Sequence, residues 1–317
     1  MLVHLRLTVP EALADDVTRL LSSRSTTNLV ILPGVSREPR GDLIECDTAR
    51  EYVSEIVDAL EDLGLADRGG IVISRPASTP FRRAGELEDA APGEADDAVI
   101  WDEVLETAED SSTPGISYHV FLVMATALAA VAVITDSSVL VVGAMVVSPD
   151  FAPIAALCTG VVFAKFRLAW RSAALLVASF VFAITVVTAL GLIGRATGLI
   201  GAADVTGNRP QTGFIWQPNH WSFIVALIAG TVGVLAMTTD KTTAMVGVFI
   251  SVTTVPAAGN LALALATWQR AEITGCATQL GINLAGLLLA GTVTLAIQRL
   301  LSRHLQRGAR RLLSRLP

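Results

Sequence analysis

Charge is what this sequence has least of. Of its 317 residues 16% are charged, where an ordinary globular chain carries about 25%. The shortage is local: charges are dense from Met1 to Asp110 and almost vanish between Gly115 and Leu300. A soluble fold could not hide so many apolar side chains behind so little polar surface, whereas a bilayer removes the need to. Cysteine is scarce as well. Cys46, Cys158 and Cys276 are widely spaced, odd in number and without a CxxC pair, which argues against a disulfide framework or a zinc site. The apolar stretches hold no P-loop, HExxH, GxSxG or His/Asp/Glu cluster. Nothing therefore points to an intramembrane enzyme or to a particular cofactor. The Arg-rich end abuts an apolar segment, and reads as an orientation signal and anionic-lipid anchor rather than a nucleic-acid surface.

What is present begins with a soluble pattern. Residues 2–9 alternate through Leu5, Leu7 and Val9, a strand ended by Pro10. Residues 11–24 carry Leu13, Val17, Leu20 and Leu21 on one helical stripe. Asn28 to Leu32 predict a second strand closed by a Pro33-Gly34 turn, and Asp42 to Cys46 a third. A helix over 48–63 buries Val53, Ile56, Val57 and Leu60, and Gly70 to Ser74 make the last strand. The β-α-β-β-α-β order predicts an α+β ferredoxin-like domain over residues 1–75. On this reading it is a cytoplasmic module that holds a homo-oligomer together or senses a small ligand. Residues 76–98, rich in Pro, Ala, Gly and acids, predict a flexible linker. Residues 99–113 form an amphipathic helix whose acidic face is expected to meet protein rather than anionic lipid, with the basic tail 301–317 as counter-surface.

Residues 114–300 predict an all-α membrane bundle of about six spans: 117–134, 138–163, 170–194, 221–238, 243–266 and 273–298. Lys165, Arg167, Arg171, Lys241 and the basic tail fall on one side, against Arg195, Arg209 and Arg270 on the other. The positive-inside rule then puts both termini in the cytoplasm of a multi-pass inner-membrane protein. Trp170, Trp221 and Trp268 fall at the expected interfaces. The outer loop 196–220 is rich in Gly, Asn, Pro and Gln, with His220 as a solvated interfacial residue.

Shifted by 104 positions, the chain aligns with itself: Thr135-Asp136 with Thr239-Asp240, and Val142-Gly143 with Val246-Gly247. Pro149 and Pro153 in one copy answer Pro256 in the other, within one position of register. A unit of three helices is odd, so the copies would lie upside down in the membrane. Such 3+3 inverted repeats with interrupted helices characterise many secondary transporters. A break in a helix bares backbone polar groups that lipid cannot satisfy, so it persists only where protein, water or a solute does. The candidate pathway residues are accordingly Ser148, Pro149, Asp150 and Pro153 in the first break, and Thr253, Thr254, Pro256 and Asn260 in the second, with Asn283 on the last helix. Asp150 is either an intramembrane ion or proton site or the cap of the next half-helix. Helix–helix hydrogen bonding is the plainer role for Thr253, Thr254, Asn260 and Asn283. Asp136 and Asp240 mark the repeated hairpin.

Gly143-Ala-Met-Val-Val-Ser-Pro-x-x-x-Pro, the helix from Trp221 through Ala229-Gly230, and Val246-Gly-Val-x-Ile-Ser-x-x-x-Val-Pro resemble the domain of unknown function 389 family, over about residues 95–265. The resemblance implies a prokaryotic polytopic inner-membrane protein without an established activity. Asp150 departs from the family pattern, where an apolar residue is usual. Two functions compete. One is a transporter or channel-like protein for a small solute or ion. The other is a membrane-anchored sensor that binds a cytosolic metabolite or nucleotide through the N-terminal domain.

Overall fold

A computed structural model describes residues 1–91, 98–113, 115–201, 207–239, 247–248, 250 and 253–313, with side chains as far as residue 302. The chain divides into two compact units, Met1–Glu103 and Val104–Leu301.

In the first unit, β1 (Leu2–Pro10) turns Val3, Leu5, Leu7 and Val9 to one face, where all four are buried. β2 (Thr26–Arg37), β3 (Arg40–Ala49) and β4 (Gly70–Ser74) complete an antiparallel sheet in the order β2-β3-β1-β4. Helices α1 (Ala14–Ser22) and α2 (Arg50–Asp62) lay Val17 and Leu21, and Val53, Ile56, Val57 and Leu60, into one core with that face. Fully burying each such aliphatic side chain contributes about 1.5–3 kcal/mol, which explains why the period-2 and period-3.6 stripes settle together. A short helix, α3 (Leu65–Arg68), leads into β4.

Two expectations change in this unit. Pro33-Gly34 does not close the β2–β3 hairpin. β2 runs on to Arg37, with a register shift between Leu32 and Ser36 and Gly34 at φ 65°. β2 is the edge of the sheet, where a proline has no ladder hydrogen bond to forfeit. Within the expected linker 76–98, Arg82–Ala90 form a helix, α4. Phe81, Ala84 and Leu87 recur on one side and pack on Leu2 and Ala49, and Arg82 pairs with Glu86 at 2.9 Å.

The second unit is helical. Its elements are α5 (Trp101–Ser111), which begins in the first unit, then α6 (Ile116–Ile134), α7 (Ser138–Val147), α8 (Phe151–Val162), α9 (Phe166–Ala196), α10 (His220–Thr238), α11 (Thr254–Thr267) and α12 (Arg270–Leu313). Among the described residues four helices are long and apolar enough to cross a membrane: α6, α9, α10 and the Arg270–Ser302 part of α12. The α7–α8 pair, bent by 51°, makes a fifth if it is one span. The chain is a membrane protein, and of the expected six spans four or five are seen among the described residues. Of the expected span 243–266, residues 243–246, 249 and 251–252 lie outside the described residues, and α11 contributes 14 residues. Ala108 of α5 packs on Ala156 and Leu168, and Glu109 pairs with Lys165 at 2.8 Å. The tail proposed as counter-surface to α5 has its side chains beyond residue 302 outside the described residues.

Elements recur along this unit at the spacing read in the sequence. α6 and α10 are both 19 residues long and begin at 116 and 220. α9 and α12 begin at 166 and 270. Ala164 and Trp268 take the same left-handed conformation, at φ 56° and 60°, in the turns before α9 and α12. α8 and α11 each carry a proline as third residue, Pro153 and Pro256, in the first turn, where the missing N–H has no intrahelical partner to lose. Close packing rests on small residues. A Cβ on Gly259 of α11 would come within 2.8 Å of Ala130 N and Thr126 O on α6.

Candidate ion site at a broken helix

α7 is ten residues long, so at about 1.5 Å per residue it reaches about 15 Å, half of a hydrocarbon core about 30 Å thick. There Pro149 ends it. A residue before proline is disfavoured in the helical region, and Ser148 is extended, at ψ 132°. α8 restarts at Phe151 with Asp150 as its N-cap residue, yet the Asp150 carboxylate makes no capping bond. It instead accepts from Ser148 Oγ on one oxygen, at 2.8 Å, and from Thr254 Oγ1 on the other. Ser148, Asp150 and Thr254 are 5%, 7% and 2% exposed. No Lys, Arg or His among the described residues pairs with this carboxylate. Pro149 is half-buried beside it and Pro153 is buried in α8. Beside the three polar side chains lies a cavity of about 10 Å³, walled by Met145, Phe151 and Leu287 among others. That is about the space of a single water.

The polar character continues along α12. Glu272, Cys276, Gln279 and Asn283 follow one another at intervals of four, three and four residues, hence on one face, and all are buried. Thr253 Oγ1 accepts from Gln279 Nε2 at 3.1 Å and from Asn283 Nδ2 at 2.8 Å. Further along α11, Asn260 sits between an arginine and a glutamate. Arg209 Nη1 donates to Asn260 Oδ1 at 3.0 Å, and Asn260 Nδ2 donates to Glu272 Oε2 at 3.0 Å and to Cys276 Sγ at 3.0 Å. Arg209 Nη2 closes the ring on Glu272 Oε1 at 2.6 Å. Guanidinium only donates and carboxylate only accepts, so the amide between them has one satisfying orientation.

The candidates thus divide. Ser148, Asp150 and Thr254 meet at the bend, while Thr253 and Asn283, with Gln279, tie α11 to α12. Asn260 belongs to the Arg209–Glu272 pair, and Pro149, Pro153 and Pro256 shape the half-helices. Asp136 lies elsewhere. It accepts from the backbone N–H of Thr212 at 2.9 Å and from its hydroxyl at 2.8 Å, pinning the loop after α9 over the α6–α7 turn. Asp240 lies outside the described residues. Arg209, expected as a loop cation, is 8% exposed. Arg209, Glu272 and Gln279 are the residues that sequence reasoning passed over. The Glu272-Cys276-Gln279-Asn283 stripe was the available signal for two of them, and Arg209 has no local one.

One matched region takes in the bend and runs from the end of α7 into the first half of α12: residues 145–289 match the family described as "Domain of unknown function (DUF389)". This segment is similar to that family. The match reaches further into α12 than the resemblance over 95–265 implied, and begins after α6. An uncharacterized protein of Methanocaldococcus jannaschii is 24% identical over 213 residues, 67% of this chain. The chain spans 62% of that relative's length. No solved structure matches.

Proposed function

We propose that the chain is a transporter or channel-like protein of the prokaryotic inner membrane, built from two inverted three-helix repeats, that passes a small solute or ion through the Asp150 site. The observation that carries this reading is Asp150 itself. A carboxylate at the bilayer centre costs at least about 2.5–3.5 kcal/mol, and here it is buried between two neutral hydroxyls where a helix breaks.

The repeat is supported by reciprocal contacts. Arg195 donates to the carbonyl of Ala266 at 3.1 Å, and Arg299 donates to the carbonyl of Val162. Arg195 and Arg299 are equivalent in the 104-residue register, and so are Val162 and Ala266. When residue i of one copy contacts j of the other and j's equivalent contacts i's, the copies are related by a two-fold axis. Residues on that axis touch their own equivalents. Asp150 and Thr254, also 104 apart, are such a pair. A site on the axis stays fixed while the repeats rock about it, as alternating access requires. The first unit, with its strand order β2-β3-β1-β4 under two helices, we read as a ferredoxin-like domain on the cytoplasmic side that regulates the membrane part or holds an oligomer together.

The test uses the full chain in proteoliposomes, with ion-concentration jumps followed by electrical recording and an internal pH dye. The wild type is expected to move charge or protons, and Asp150→Asn to abolish or strongly reduce the signal while its elution profile is unchanged. A variant as active as the wild type removes Asp150 from the mechanism.

A further inference from the structure

We infer that the Asp150 site binds a dehydrated monovalent cation of sodium size; this deepens the transport reading and rests on it. The donor set is hard oxygen: two carboxylate oxygens of Asp150, Ser148 Oγ and Thr254 Oγ1. Each hydroxyl can rotate its proton away and offer a lone pair instead, and oxygen ligands of this kind suit hard cations rather than soft metals. Charge sets the valence. Among the described residues Asp150 is the single carboxylate lining the cavity, so one positive charge is neutralised there, whereas a divalent ion would leave a surplus charge in a low-dielectric site. Among the described residues no group of three or more His, Cys, Asp or Glu side chains could hold a metal ion. Size excludes larger occupants, because about 10 Å³ holds one water-sized particle and no organic solute. On the adjoining stripe of α12, Gln279 Oε1 is buried with no donor among the described residues, the kind of acceptor that an ordered water or a passing cation satisfies.

The experiment is thermal unfolding of the purified full chain in detergent at pH 7.5, in sodium, potassium or choline chloride at constant ionic strength. The expected result is a saturable rise in Tm with sodium that is absent in choline, lost in Asp150→Asn and weakened at least tenfold in apparent affinity in Thr254→Val. Thr254→Ser keeps the hydroxyl and is expected to keep the response, which holds the test open should Asp150→Asn fold poorly. A wild type indifferent to sodium, a shift that survives Asp150→Asn, or a response to pH alone overturns the inference. Its failure is distinguishable from that of the transport reading. Flux without sodium stabilisation removes the cation assignment only, and sodium stabilisation without flux makes the ion structural.

Discussion

Two buried carboxylates, Asp150 and Glu272, solve the same desolvation problem in different ways. Glu272 is matched by Arg209 and Asn260 into a closed ring. Removing one partner of a buried pair costs about 3–5 kcal/mol, while replacing both with apolar groups is often near neutral. Arg209→Met is therefore expected to lower stability in detergent by about 3–5 kcal/mol, and Arg209→Met with Glu272→Leu to recover most of it. Calorimetry of the three proteins checks this, and a single variant as stable as the wild type would show that the pair contributes nothing. In the first unit, burial, with a smaller push from the Asp47 carboxylate, raises the Cys46 thiol from 9.0 to about 12. A folded value above the unfolded one favours the protonated thiol, so its contribution to stability is full below pH 9.0 and is lost as pH climbs towards about 12. At pH 8 iodoacetamide is expected to leave Cys46 unmodified until denaturant is added; mass-spectrometric detection of the native adduct would contradict that. At this scale the sequence revealed polar residues stranded in apolar runs, such as Asp150, Asn260 and Asn283. It concealed Arg209, because burial of a loop cation depends on chain segments far away in sequence.

Elements were legible wherever periodicity and punctuation agreed. β4 over 70–74, α6 and the break at Pro149 follow directly from alternation, a long apolar run and a proline. They were misread where one signal masked another. The Pro33-Gly34 pair looks like a turn but lies in an edge strand, and the acid-rich segment around α4 looks disordered although Phe81, Ala84 and Leu87 give it an apolar side. Packing between elements is also testable. A methyl group at Gly259 would meet the backbone of α6, whereas one at Gly281 meets nothing within 4 Å. Gly259→Ala is expected to lower Tm in detergent, while Gly281→Ala is neutral or stabilising by up to about 1 kcal/mol, the helix cost of glycine. Equal effects at both positions would mean that α11 and α6 do not approach as closely as described.

At the scale of the whole molecule, the repeat we propose shows in the sequence only as a faint self-alignment, because membrane helices share a small alphabet. The equal lengths of α6 and α10, the matched left-handed turns and the crossed arginine contacts are what support that proposal in three dimensions. The departures from symmetry matter as much. Ala156 and Leu168, in a small apolar cluster with Ala108, occupy the register positions of Asn260 and Glu272, so what one copy fills with apolar packing the other fills with an ion pair. All of this assumes that the two halves face opposite ways. Single cysteines at Lys165 and Gln269, equivalent positions in the turns before α9 and α12, in a chain otherwise without cysteine, test that directly in intact cells with a membrane-impermeant maleimide. Labelling at 269 alone, with 165 reacting only after the membrane is opened, is the predicted result; labelling of both from the same side would contradict the inverted repeat and with it the fixed site at Asp150.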